Sequence, residues 1–341
     1  APDPSDYAPN GTITRLDSAG GSYLRQNLHL AKIGVNYRFG GPSNSSSADA
    51  ATAPPAPDAT PWVPGWEFDV GARFWYSSGR NQNGGANVLV SRLTYNGVTG
   101  QSGELFARVD SPFNVFLKGF VGAGGLARGN MFDEDWSLPT AFTTKPTGYE
   151  VTQSDVIGTL HYITGDIGYA AFRGAGHKVG PFIGYNRLET AMNAMGCAQL
   201  VNPSSGICTA PPTGSLNGVS QFDVWQSIRL GVAGEVMLTK QLKVSGDIAW
   251  LPFVRYTGLD IHRWRNDYFP VDGNGTGVQG ELILTWMATE KFGIGIGGRY
   301  WAMHTNTGMD VGLGNGINYT NAEVERYGVF LQASYKFTAP R

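Results

Sequence analysis

The chain has 341 residues, and its 25 lysines and arginines nearly balance its 27 aspartates and glutamates, which gives a formal net charge of −2. That balance excludes the strongly basic surface typical of a nucleic-acid-binding domain. Charged residues make up only 15% of the chain, aromatic residues make up 12%, and there are 48 glycines. No run of 18 consecutive apolar residues occurs, which excludes a helical membrane span. This composition favours a chain built from β-strands.

Residues 1–64 are predicted to form an N-terminal extension of unassigned role. Residues 28–39 alternate between apolar and polar side chains and predict one strand. Residues 42–64 are dominated by proline, alanine and serine, a composition typical of a linker. Since one strand cannot form a stable sheet alone, the main domain is predicted to cover residues 65–341.

Ten segments of that domain alternate with a period of two residues, which predicts ten strands. They are residues 65–77, 102–110, 113–123, 153–173, 178–189, 220–238, 242–256, 277–288, 292–304 and 323–337. Short and long connections alternate between them, as in outer-membrane barrels. The prediction is therefore an all-β, ten-stranded antiparallel transmembrane β-barrel in the bacterial outer membrane, in contact with its lipid, with long extracellular loops.

Two cysteines, Cys197 and Cys208, lie in a segment without charged residues. Two interpretations stay open for this pair. The cysteines form a disulfide that closes a short loop in an oxidising compartment, or they are two unrelated free thiols.

Two long connections carry residue types that could act together on a peptide bond. One contains Asp133 and Asp135, and the other contains Asp260 and His262. In a ten-stranded ring the strands before these connections lie on opposite walls, so the four side chains are predicted to face one another. A histidine can take a proton from water while a carboxylate orients it. The plain alternative is a solvated acidic loop or a loose cation site and a surface histidine.

The residues around both pairs resemble the omptins, a family of outer-membrane endopeptidases with ten-stranded barrels. Residues 129–136, GNMFDEDW, are similar to the family's Gly-x-Met-x-Asp-x-Asp-Trp element, and residues 246–264, GDIAWLPFVRYTGLDIHRW, are similar to the strand leading into its Asp-x-His pair. The resemblance covers residues 66–337. It implies that Asp260 and His262 activate water and that Asp133 and Asp135 form the opposing acidic pair. The chain is then a peptidase that cleaves peptides or proteins at the barrel mouth.

The same resemblance implies lipopolysaccharide as a partner that supports activity, because family members bind it through basic and aromatic residues at the rim. Tyr185 and Arg187 fall near the first part of that patch, although Arg187 and Glu189 are exchanged relative to the family. Members that cut between basic residues carry an acid two positions before the Asp of Asp-x-His, where this chain has Gly258, and residues 79–82 also lack an acid. We therefore expect a weak or altered preference for Arg or Lys.

A function without catalysis fits the same predicted architecture, namely a small-solute channel, an adhesin or a structural barrel. The interior of a ten-stranded barrel is narrow and filled by side chains, which argues against a large general pore. The histidines show no metal-ligand spacing, and the glycine-rich segments lack the helix that a nucleotide site requires. Neither a metal nor a cofactor is predicted.

Overall fold

The computed structural model describes residues 65–85, 91–136, 149–201, 208, 216–263, 266–310 and 318–339. The predicted N-terminal extension, residues 1–64, lies outside these ranges, so its division from the main domain stays a prediction. Across the described ranges, no helix is long and apolar enough to cross a membrane.

The described residues form eleven β-strands. The strands are β1 (Trp66–Gly85), β2 (Ser91–Asp110), β3 (Val115–Trp136), β4 (Tyr149–Tyr169), β5 (Phe172–Gly174), β6 (His177–Val201), β7 (Asn217–Met237), β8 (Leu242–His262), β9 (Asp267–Met287), β10 (Phe292–Asp310) and β11 (Asn318–Ala339). Their lengths run from 19 to 25 residues, except that β5 holds 3.

All strands belong to one antiparallel sheet that closes into a ring. The order is β4-β3-β2-β1-β11-β10-β9-β8-β7-β6-β5, and an additional pairing of β4 with β6 joins the two sides. The first and last long strands pair along their whole length, from Trp66 opposite Ala339 to Gly85 opposite Thr320. Closure leaves no long unpaired edge, so the backbone polar groups of the long strands are satisfied within the sheet.

The strand count differs from the ten that the sequence predicts. The additional strand, β5, lies in the connection between β4 and β6 and pairs only with the start of β6. The sequence predicts one continuous strand over residues 153–173, whereas the structure divides these residues between β4 and β5. The chain leaves the β4 ladder there, where the Ala170 amide donates to the Asn114 carbonyl at 2.7 Å.

The outer face carries an apolar belt between two rows of aromatic side chains. Leucine, isoleucine and valine side chains are exposed throughout the belt, as at Leu105 with 64%. The lower row, near the short turns, contains Trp66, Phe113, Tyr169, Phe172, Trp286, Phe292 and Phe337, and the upper row contains Tyr76, Tyr185, Phe253, Tyr300 and Tyr327. Along β11 the belt runs from position 327 to 337, about the 9–11 residues that a strand needs to cross a bilayer.

The strands extend well beyond the upper aromatic row. Parts of the predicted long connections 190–219 and 257–276 are strand, because β6 continues to Val201, β8 continues to His262 and β9 begins at Asp267. The alternation of lipid-facing apolar and interior polar residues stops above the belt, because the outer face no longer meets lipid there. The backbone pairing continues regardless, so Asp133, Asp135, Asp260 and His262 lie on strands rather than in loops.

The interior at belt level is filled with paired charges and aromatic rings. Glu104 accepts from Arg73 at 2.8 Å and from Arg299 at 2.7 Å. The Arg299 guanidinium lies 4.8 Å from the Trp75 ring and 4.3 Å from the Phe120 ring. Further ion pairs join Arg229 to Asp166 at 2.9 Å and Lys178 to Glu67 at 2.8 Å. This packing occupies much of the lower interior beneath the open end.

Candidate active site

The candidate site lies at the mouth, the end of the closed sheet where β3 finishes at Trp136 and β8 at His262. Strand order separates β3 from β8 by β2, β1, β11, β10 and β9 on one side and by β4, β6 and β7 on the other. The two strands therefore lie on facing walls, as the sequence predicts. Both upper ends stand above the apolar belt.

Asp260 and His262 occupy alternate positions of β8, so their side chains share one face of the strand. Asp260 Oδ2 lies 2.9 Å from His262 Nε2, and the side chains are 12% and 17% exposed. The His262 ring also meets Phe269 of β9 edge-on, with centroids 5.3 Å apart. The carboxylate and the aromatic neighbour together fix the orientation of the imidazole. The second carboxylate oxygen, Oδ1, is buried and accepts no hydrogen bond from the described residues.

Asp133 and Asp135 lie on β3 directly above a break in its ladder. The register between β3 and β4 shifts between Ala127 and Asn130, and Gly129 has a φ of +89°. A Cβ at Gly129 would lie 2.7 Å from the Val98 amide nitrogen, so glycine is required there. Asp133 lies two positions beyond Met131, which is buried in the interior, so it occupies the inward face. Glu134 lies on the other face, where Arg92 donates to it at 2.6 Å.

Tyr95 of β2 has a pKa that responds to carboxylates of both walls. Burial, followed by the charges of Asp260, Asp223 and Asp133, raises the pKa of Tyr95 well above its ordinary value. In the ladders Tyr95 is opposite Met131 of β3, two positions below Asp133, and opposite Asn81 of β1, which donates to Asp223. No described contact joins Asp135 to Tyr95 or to these carboxylates.

A polar network beneath these residues was not found from the sequence. Buried Asp223 of β7 accepts hydrogen bonds from Tyr256 Oη at 2.7 Å, from Gln221 Nε2 at 2.7 Å and from Asn81 Nδ2 at 3.2 Å. Burial raises the pKa of Asp223, against the lowering effect of these hydrogen bonds. The bond from Asn81 crosses the interior between residues 142 positions apart. The sequence signal for this network is the set of polar residues at alternate positions of β7. Every barrel strand shows that pattern on its interior face, so the signal does not identify a site.

Gly258 has a steric role in this network. It lies in register with Asp223 on the neighbouring strand, and a Cβ at this position would meet the Tyr256 hydroxyl at 2.2 Å. Glycine at 258 therefore leaves the space that the Tyr256 hydroxyl occupies when it donates to Asp223. At the level of position 258 the buried carboxylate is therefore that of Asp223 on β7, and β8 has glycine there.

Tyr185 and Arg187 lie on the outer face of β6, at and just above the upper aromatic row. Tyr185 Oη donates to Gln226 Oε1 at 2.9 Å, and Arg187 pairs with Glu189. Cys197 and Cys208 form a disulfide with Cα atoms 5.3 Å apart. In the part of the chain that the structure describes, no group of three or more His, Cys, Asp or Glu residues could hold a metal ion.

A scan against protein-family models finds no match, and a search of curated proteins finds none either. Among solved structures, the outer membrane protease OmpT from Escherichia coli matches 80% of this chain and 97% of its own, with a TM-score of 0.62 and 14% identity. The translocator domain of autotransporter NalP from Neisseria meningitidis matches 78% of this chain and 88% of its own at 12% identity, with a TM-score of 0.32. An outer membrane channel from Pseudomonas putida F1 matches 83% and 99% at 10% identity, with a TM-score of 0.28. The first likeness shows the fold: the closed sheet is a β-barrel of the architecture seen in that protease.

Proposed function

We propose that the chain is an outer-membrane endopeptidase of the omptin type, which cleaves peptides or proteins at the mouth of the barrel. The observation that carries this proposal is the contact between Asp260 and His262 on one wall, with Asp133 on the upper part of the facing wall. A histidine with a carboxylate partner can serve as a general base for water.

In the proposed reaction, His262 takes a proton from water and the water oxygen attacks the peptide carbonyl carbon. Because Asp260 contacts Nε2, the ring hydrogen belongs on Nε2, where it is donated to Asp260, and the proton from water enters at Nδ1. The Asp260 charge stabilises the imidazolium that results. Asp133 and Asp135 are assigned to hold and polarise the water from the other wall.

The outer surface supports a membrane location for the proposed enzyme. Its apolar belt is bounded by aromatic rows, as in outer-membrane barrels, and the mouth stands above the upper row. We assign the mouth to the outside of the cell. Tyr185 and Arg187 lie at the upper edge of the belt, where they could contact lipopolysaccharide.

The filled interior argues against a solute channel as the function. Arg299, Glu104 and the rings around them are buried at belt level, and a channel needs a water-filled path there. Transport through the lumen would require several buried ion pairs to separate, which is costly.

We expect weak selectivity for basic residues at the cleavage site. The buried carboxylate in register with Gly258, that of Asp223, already accepts hydrogen bonds from Tyr256, Gln221 and Asn81. An entering Arg or Lys would have to displace these bonds before it could pair with Asp223. Cleavage confined to paired basic residues would contradict this expectation.

The test is digestion of an unbiased peptide library by detergent-folded protein, with and without lipopolysaccharide. Wild type should cleave, and His262→Ala should lose about 10²–10⁴-fold in turnover. His304→Ala is a matched control, because His304 is exposed on β10 and contacts Thr276 at 3.4 Å. A wild type that leaves the library intact under both conditions would refute the peptidase and leave only the architecture.

A further inference from the structure

Tyr95 differs from the other buried tyrosines of the described interior. The hydroxyl of Tyr162 lies 3.0 Å from Ser102 Oγ, and that of Tyr256 lies 2.7 Å from Asp223 Oδ1. The Tyr95 side chain is 1% exposed, yet its hydroxyl makes no hydrogen bond to any described residue. Buried polar groups without partners are costly and uncommon, so each calls for an explanation.

The position of Tyr95 suggests which partner is missing. Tyr95 is paired with Asn81 across the β1–β2 ladder, and Asn81 donates across the interior to Asp223. Asp260, Asp223 and Asp133 all act on the Tyr95 hydroxyl, and together with burial they hold its pKa well above the ordinary value. The hydroxyl therefore keeps its proton at every working pH and can only act as a neutral donor or acceptor.

The proposed reaction creates a negative charge that needs such a donor. When the water oxygen bonds to the carbonyl carbon, the π electron pair of the carbonyl moves onto its oxygen. Around this mouth that oxyanion would be repelled by Asp133, Asp223 and Asp260. A hydrogen bond from a preorganised donor offsets the repulsion and lowers the barrier.

We propose that Tyr95 is a further catalytic residue, whose hydroxyl donates a hydrogen bond to the carbonyl oxygen of the scissile bond and to the oxyanion formed from it. This inference rests on the proposed peptidase function. The Tyr95 proton is not transferred in the reaction. When the intermediate collapses, the electron pair returns to the carbonyl, the carbon–nitrogen bond breaks, and the leaving amine takes the proton held by His262.

The experiment compares Tyr95→Phe with Tyr162→Phe on a peptide that wild type cleaves. Tyr95→Phe should lower kcat by about 10²–10³-fold, the usual loss for one oxyanion donor, while KM and the thermal midpoint stay at wild-type values. No hydrogen bond to a described residue is lost in that variant. Tyr162→Phe removes the contact with Ser102 in the lower interior, so it should lower the thermal midpoint and leave kcat unchanged.

A second measurement separates an oxyanion contact from a general disturbance. A phosphonate analogue of the cleaved peptide carries an anionic oxygen where the oxyanion forms, so Tyr95→Phe should weaken its binding by the same factor as kcat and leave binding of the parent peptide unchanged. Wild-type kcat in Tyr95→Phe, or a loss of kcat that follows a loss of heat-modifiable fold, would overturn the inference. An inactive wild type would instead overturn the peptidase proposal, and this inference with it.

Discussion

Asp260→Asn tests the candidate dyad because it removes one charge while keeping the shape of the side chain. Asp260 Oδ2 lies 2.9 Å from His262 Nε2. Once His262 holds a proton from water, two unit charges at that distance attract by about 6 kcal/mol at an effective dielectric constant of about 20, and by about 3 kcal/mol at about 40. At about 1.4 kcal/mol for each tenfold change in rate, turnover should fall by about 10²–10⁴-fold.

The assay is the initial rate of cleavage of a library-derived peptide, fitted for kcat and KM in wild type and variants. Asp272→Asn is the matched control. Asp272 is 56% exposed and pairs with Arg255 at 2.8 Å on the outer face, and such exposed pairs contribute little. Activity should also fall at acidic pH, where the imidazole already carries a proton. A folded Asp260→Asn variant whose kcat stays within about tenfold of wild type would refute the reasoning.

Other parts of the molecule give further tests. Asp133→Asn and Asp135→Asn should lower the cleavage rate and keep the heat-modifiable fold; full activity in both would remove the acidic wall from the mechanism. Glu104→Gln leaves Glu281 as the carboxylate that Arg73 and Arg299 share, so it should cost at most about 3 kcal/mol of unfolding free energy in a denaturant titration in detergent, and an unchanged midpoint would contradict the ion-pair assignment. The raised pKa of Asp223 means that the folded state binds a proton more tightly than the unfolded one, so stability from this group falls as pH rises above its ordinary 3.8; Asp223→Asn should flatten that decline, and parallel profiles would be the contrary result. Cys197 and Cys208 should resist maleimide until reductant is added, and the fold should survive reduction; immediate labelling of both would show free thiols.

Alternation in the sequence predicts the lower part of each strand well and the upper part poorly. The predicted strand 323–337 lies within β11, Asn318–Ala339, and 242–256 lies within β8, Leu242–His262. The signal comes from lipid-facing apolar residues alternating with interior polar ones. Above the upper aromatic row the outer face carries charged side chains, as where Arg255 and Asp272 pair, and the inner face mixes polar residues with buried apolar ones such as Met192. Strand pairing persists there without any period-two signature.

The candidate dyad was accessible from sequence because its two members lie on one strand, at positions 260 and 262. The importance of Tyr95 and Asp223 was not accessible from the sequence, because many other polar and aromatic residues also occupy interior-facing positions. Their significance depends on closure of the ring, which brings together strands far apart in the chain. A list of strands does not by itself give the cross-interior bond from Asn81 to Asp223.

The polar network below the mouth also cross-links strands of the two candidate walls. Above the belt the strands have no contact with lipid. Side-chain hydrogen bonds across the interior stabilise the upper barrel there. Asn81 and Asn83 of β1 supply them, through bonds to Asp223 of β7 at 3.2 Å and to Tyr256 of β8 at 3.2 Å. These bonds tie β1 to the wall that carries Asp260, while β2 connects β1 to the wall that carries Asp133. Because groups that act together on one water must be held to fractions of an ångström, a network with no chemical step of its own can still govern the rate.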